Sequence, residues 1–262
     1  HLGHSFLHDA LPIYNVSFTD GAKVSFYKWL PDRDRMLIAE KNSGKLSLSY
    51  YDVKKDQKDS ISKITMADSE SEVVDIKIAP LPNVIYIKVA NSTNTNSIYW
   101  INIMKDKKKI ETKSSNIGRI EVLPHADKMV YESATYKKVY VTGMENSLSF
   151  SGVDQTCLLG VDSEDQVYIG KVNSDGKVSQ IYYGTVKQST SNWQTINLTS
   201  SVKKSDLFVA ENGKLYINDN LKATFTEVKT GKITNYKGVF LEIYNNGIAS
   251  INDGVLVKTV LN

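Results

Sequence analysis

The side chains able to do chemistry in this chain are few, and their spacing limits what that chemistry could be. The 262 residues contain four histidines and one cysteine. Three of the histidines, His1, His4 and His8, fall at the very start, leaving His125 as the one imidazole in the body of the chain. A nucleophilic triad sets a Ser, Cys or Thr beside a positioned base, so a histidine-based triad would have to use His125. That residue sits in Leu123-Pro124-His125-Ala126-Asp127-Lys128, which reads as a polar turn. No Gly-x-Ser-x-Gly elbow occurs, since Phe150-Ser151-Gly152 lacks the flanking glycine. Cys157, followed by Leu158 and Leu159, reads as a small buried hydrophobe, and a lone cysteine cannot form an internal disulfide. No catalytic residue is expected.

Zinc and iron sites need clusters of His and Cys that this complement cannot supply. Calcium needs only carboxylates and carbonyls, and two runs offer them, Asp162-Ser163-Glu164-Asp165 and Asn173-Ser174-Asp175-Gly176. Neither has the spacing of an EF-hand loop, and the second reads as a hairpin turn favoured by Asp-Gly. Glycine loops that cradle phosphates are absent. Neither a metal nor a cofactor is therefore expected. The basic runs, Lys105 to Lys109 and Lys54, Lys55 and Lys58, are interleaved with Asp56, Asp59 and Asp106 and read as solvated hairpin tips. With a net charge of only +3, nucleic-acid binding is not expected.

The elements that would position these groups are strands. Val, Ile, Thr, Ser and Tyr recur throughout, Pro is scarce at 5, and no amphipathic helical stretch exceeds two turns. One unit repeats: a turn of Pro, Asp, Asn or Gly, then a strand with large apolar residues at alternate positions. Its clearest copies are Trp29–Glu40, Ala79–Val89 and Val122–Ser133, with weaker ones at Gly160–Val172, Val209–Asp219 and Ile243–Gly254. Met36, Val84, Met129, Val167, Leu215 and Ile248 are equivalent positions, 33 to 48 residues apart. Four-stranded propeller blades run about 40–50 residues. The reading is an all-β, six-bladed β-propeller, with a seven-bladed or incomplete propeller as the alternative.

The first blade is expected at Val24–Trp29, Arg35–Ala39, Leu46–Asp52 and Ser60–Ile64, and the second at Val73–Ile78, Val84–Val89, Ser97–Ile103 and Lys109–Thr112. The last unit supplies three strands, Val239–Tyr244, Gly247–Ser250 and Val255–Leu261. Asn15–Phe18 is expected to pair as its outer strand and close the ring, which would remove the exposed edges.

Residues 4–13, HSFLHDALPI, resemble the translation of a short-read sequencing adapter, so 1–13 are set apart from the single propeller domain expected over 14–262. An upstream signal, anchor or domain is expected to have preceded residue 14. The repeat itself resembles TolB-like and dipeptidyl-peptidase-type propeller repeats. The resemblance lies in Leu30-Pro31-Asp32 with Leu37-Ile38-Ala39, and in Leu123-Pro124 with Met129-Val130-Tyr131. It implies architecture and leaves function open.

Two functions are compatible with this reading. The first is a non-enzymatic, extracytoplasmic bacterial scaffold, a monomer binding a protein or carbohydrate partner through loops on one face. Those loops hold the candidate binding residues Asp68, Glu70, Glu72, Asn91, Thr93, Asn94 and Asn96. Membrane contact would come only through a missing upstream anchor. The second is a calcium-dependent lactonase or hydrolase with carboxylates in the central channel, drawn from Glu72, Asp75, Glu121, Asp154 and Asp206 near the starts of inner strands. Convergence of those carboxylates would separate the two.

Overall fold

The structure is a computed structural model that describes residues 21–30, 34–66, 70–79, 84–93, 95–102, 107–126, 128–244 and 247–261. It is all-β, with six antiparallel sheets of three or four strands, each sheet built from consecutive segments of chain in order. The first sheet is β1 (Lys23–Trp29), β2 (Arg35–Asn42), β3 (Lys45–Asp52) and β4 (Gln57–Thr65). The second is β5 (Glu72–Ile78), β6 (Val84–Ala90), β7 (Thr95–Asn102) and β8 (Lys107–Ser115). The third has three strands, β9 (Ile117–Val122), β10 (Met129–Ser133) and β11 (Lys138–Val141). The fourth is β12 (Thr156–Val161), β13 (Gln166–Val172), β14 (Lys177–Thr185) and β15 (Gln194–Lys203). The fifth is β16 (Leu207–Val209), β17 (Leu215–Asp219), β18 (Thr224–Glu227) and β19 (Ile233–Asn235), and the sixth is β20 (Val239–Tyr244), β21 (Gly247–Asn252) and β22 (Val255–Val260). Among the described residues no helix is long and apolar enough to cross a membrane.

The six equivalent residues of the repeat fall one to each second strand: Met36 in β2, Val84 in β6, Met129 in β10, Val167 in β13, Leu215 in β17 and Ile248 in β21. These strands are apolar on both faces because both faces are covered. In β6 the residues Val84, Ile85, Tyr86 and Ile87 are all buried, and so are Val167, Tyr168 and Ile169 in β13. Fully burying such a side chain stabilises the fold by roughly 1.5–3 kcal/mol. Strand β7, where the sequence reading expected Ser97–Ile103, behaves the same way, with Ile98, Tyr99 and Ile101 all buried. One feature departed from expectation, and one expectation falls on residues that are not described. The third sheet carries three strands, because after β11 the chain passes through turns and rejoins it only at an isolated bridge, Val139 to Leu148. The closing segment Asn15–Phe18 lies outside the described residues.

The chain divides into two compact units, one of His1–Ile76 and Ile85–Lys113, the other of Lys77–Val84 and Ser114–Asn262. In the first unit the basic run is held by carboxylates. Lys54 pairs with Asp34 at 2.7 Å, Lys55 with Asp52 at 3.3 Å, and Lys58 with the buried Glu40 at 2.6 Å. In the second unit, first strands of successive sheets lie side by side, β9 beside β12 and β12 beside β16. Cys157 of β12 is buried there, and burial pushes its thiol up to about 12, as expected for a packing residue.

A buried carboxylate ties these sheets together. Glu132 of β10 accepts a hydrogen bond from the Leu158 N–H of β12 at 3.0 Å and pairs with Lys204, in the 3-10 turn just before β16. Removing it strands a buried N–H and leaves the ammonium of Lys204 without its counter-charge. Glu132→Ala is expected to cost about 3 kcal/mol, read as a fall in the urea midpoint with an unchanged slope.

Candidate functional site

On β9, Ile117 and Ile120 are buried on either side of a register shift, and Arg119 and Glu121, two residues apart, share a face. The Arg119 Nε–H donates to Glu121 Oε1 at 2.6 Å. Lys77, at the next-to-last position of β5, places its Nζ 3.1 Å from Glu121 Oε2. Each carboxylate oxygen thus has its own cation. Gly160 holds the next-to-last position of β12, just past a register shift between Leu158 and Gly160. A β-carbon there would stand 3.0 Å from Val209 of β16 and 3.7 Å from Arg119 Nη2. The missing side chain lets Val209 of β16 approach closely, and the guanidinium lies beside the same spot.

Burial alone would raise the Glu121 carboxyl, but Arg119 and Lys77 outweigh it and hold the group below its ordinary range. The side chains of Arg119, Lys77 and Glu121 are 41%, 25% and 18% exposed. Two cations face this one carboxylate, and the guanidinium is accessible. Such a site recognises a carboxylate or phosphate through the planar fork of arginine, and it can neutralise negative charge that builds up on a substrate.

The sign of the pH effect follows from the lowered carboxyl. A depressed folded-state pKa contributes stability that is fully present above the unfolded value near 4.5 and is lost as pH falls through the folded one. Urea midpoints measured from neutral pH down through that window are expected to fall, and Glu121→Gln is expected to flatten this part of the profile.

Of the five carboxylates expected at inner strands, Glu121 is the one described in this cluster. Glu72 pairs with Lys41 at 2.7 Å, Asp206 accepts from the Ser205 hydroxyl at 3.0 Å, and Asp154 is exposed. Among the described residues no group of three or more His, Cys, Asp or Glu is placed to hold a metal ion. Both runs considered for calcium are hairpin turns. Asp162 Oδ1 accepts from the N–H groups of Glu164 and Gln166, each at 2.9 Å. Asn173 Oδ1 does the same for Asp175 and Lys177 at 3.1 and 2.9 Å. His125 lies in the β9–β10 turn, largely exposed, with its N–H bonded to Asp165 Oδ1 at 2.8 Å.

The loop candidates are dispersed in role. Asp68 and Asn94 lie outside the described residues. Glu70 and Thr93 are exposed, and Asn96 is half-buried on β7. Asn91 is buried and shapes its own turn, donating from Nδ2 to Thr95 Oγ1 at 3.0 Å and Ser97 Oγ at 3.1 Å. Arg119 and Lys77 escaped the sequence reading. The i, i+2 spacing of Arg119 and Glu121 on one strand was the available signal. Lys77 joins through a pairing 44 residues away, which spacing does not reveal.

Sequential antiparallel sheets that set their first strands side by side define the class: the fold is that of a β-propeller. Several solved structures share it. An oligogalacturonate lyase in complex with manganese matches at a TM-score of 0.66 and 8% identity, over 94% of this chain and 79% of its own. A second oligogalacturonate lyase, from Vibrio parahaemolyticus, gives 0.62 and 8%, over 93% and 78%. TolB from Acinetobacter baumannii gives 0.51 and 11%, covering 86% of this chain, which spans 60% of the TolB chain. The propeller domain of the Trilobed protease from Pyrococcus furiosus gives 0.55 and 11%, over 92% and 78%. No family model and no curated protein sequence matches the chain.

The TolB-like resemblance of the repeat is supported at the level of fold. The expectation of a non-enzymatic scaffold is corrected. The same fold, matched over most of this chain, carries lyases, so the lack of a histidine triad is no argument against an enzyme, and the catalytic alternative is the better supported.

Proposed function

We propose that this chain is a propeller enzyme acting on a carboxylate-bearing oligosaccharide, with Arg119 and Lys77 holding the substrate carboxylate. The observation that carries the reading is the pair of cations on Glu121, with an accessible guanidinium, on first strands, which in a propeller line the central channel. The likeness to two oligogalacturonate lyases supplies the substrate class, since a galacturonate chain carries one carboxylate per sugar.

Elimination is the reaction class that this chemistry favours. Neutralising a carboxylate lowers the cost of negative charge forming on the adjacent carbon, whereas hydrolysis of a glycosidic bond has no such need. In this reading Glu121 acts as a positioning residue, fixing both cations. A divalent metal fits the cluster poorly, because the Glu121 carboxylate already faces an ammonium and a guanidinium. The six-bladed count, closure by Asn15–Phe18 and an extracytoplasmic location belong to the same proposal. Closure predicts slow amide exchange in Asn15–Phe18.

The test is an assay of the full chain on oligogalacturonate, following the ultraviolet absorbance of the unsaturated product, with chelator and with added manganese or calcium. Product formation that survives the chelator is the expected result. Absence of product under every condition would overturn the reading.

A further inference from the structure

A second cleft, of about 340 Å³, lies in the fourth and fifth sheets and shares no residue with the Glu121 cluster. Its volume is at the lower end of the roughly 300–1,000 Å³ typical of small-molecule sites. Tyr168 and Tyr183, cross-strand partners on β13 and β14, stack in parallel along it, with centroids 5.3 Å apart and planes 2° apart. Gln166 and Asn212 bring amide groups, and Lys214 and Glu227 bring charge.

The turn before β17 is fitted to this wall. Gly213 has φ +76°, and a β-carbon would stand 2.7 Å from Asp162 Oδ2 and 2.8 Å from the Tyr168 hydroxyl. That hydroxyl lies 3.0 Å from both Asp162 Oδ2 and the Gly213 carbonyl. It has one hydrogen for two acceptors, so one of them is always without it.

Glu227 is the unusual group. It is only 5% exposed, yet its one described hydrogen bond from a side chain is a long one, 3.4 Å from Lys214 Nζ. Other buried carboxylates of this unit are better served. Glu132 takes a backbone N–H and an ammonium, and Asp162 takes two backbone N–H groups, an amide and a phenol. An ionised carboxylate offers about four acceptor positions, and a buried one is expected to fill them.

We infer that this cleft binds a sugar ring. The tyrosine pair supplies an aromatic wall, Glu227 accepts from two neighbouring ring hydroxyls, and Lys214, Gln166 and Asn212 complete the hydrogen bonds. A metal ion fits less well, because the Lys214 ammonium already faces the only carboxylate in the wall.

The probes are digalacturonate and its uncharged counterpart galactobiose, titrated into the full chain by calorimetry. Recognition through hydroxyls predicts that both bind at millimolar concentration or better. Glu227→Gln, which keeps shape, and Tyr183→Ala are each expected to weaken binding by about tenfold, the equivalent of one charge-assisted hydrogen bond. Circular dichroism melts confirm that both variants fold. Failure of both sugars to bind the unaltered chain, binding of digalacturonate alone, or undiminished binding by the folded variants would each overturn the inference. Turnover is read separately, so a chain that binds both sugars but cleaves neither would refute the proposed function and leave the cleft standing.

Discussion

Replacing Arg119 by alanine is expected to lower kcat/KM on an acidic oligosaccharide by about 10²–10³-fold, the usual loss when a preorganised donor to developing charge is removed. The melting temperature is expected to move little. Arg119 is 41% exposed, and surface ion pairs of this kind contribute little to stability. Lys77 still faces the Glu121 carboxylate in the variant, so no buried charge is orphaned. Arg119→Lys separates charge from geometry. It keeps the cation but loses the planar fork, and about a tenfold deficit is expected. Steady-state kinetics on the three proteins gives the result directly. A drop in melting temperature that tracks the loss of activity would mark Arg119 as merely structural.

Gly238→Ala is expected to be the most damaging small substitution in the fold, costing about 3–5 kcal/mol. Gly238 has φ +81° and lies directly against β21. A β-carbon there would stand 2.0 Å from the Ile251 carbonyl oxygen and 2.6 Å from its carbon. Those atoms are strand backbone, and β21 pairs on both sides, with β20 and β22, so neither can retreat without breaking a ladder. The contrast is Gly152, which has φ +68° but nothing within 4 Å. Gly152→Ala carries only the left-handed backbone penalty, about 1 kcal/mol. Urea denaturation of both variants isolates the steric part. Equal midpoints would show that the approach of Gly238 to β21 is not tight.

Much of the fold was legible because a strand writes its burial into every second residue. Strands covered on both faces do so in unbroken apolar runs, as in Val84-Ile85-Tyr86-Ile87. The turns were legible for an equally local reason. Asn173 and Asp162 cap their own hairpins, so their geometry is fixed within five residues. What escaped the sequence depends on distance along the chain. Glu121 could be named as an inner-strand carboxylate, but its partnership with Lys77 exists only once β5 and β9 are placed. The network of Asp162 is a comparable case: Gln166 and Tyr168 reach it from the adjoining strand β13, but the Gly213 turn that completes it lies far along the chain, just before β17. The third sheet lost its fourth strand for want of a pairing run after β11, where Gly143, Asn146 and Ser147 favour turns. The scaffold reading failed on a different ground. It took the absence of histidine for the absence of catalysis, and charge neutralisation by arginine and lysine needs no histidine.

In the proposed function the cationic cluster of the first strands acts on a substrate through its carboxylates. The most direct measurement is kcat/KM of the full chain on oligogalacturonate and on the same oligomer with its carboxylates methyl-esterified. Esterification removes the charge and leaves the sugar ring and the scissile linkage in place. A preference of about 10²-fold or more for the free acid is the predicted result, as expected when a charged contact is made in the transition state. Equal turnover of the two, or turnover of the ester alone, would contradict it.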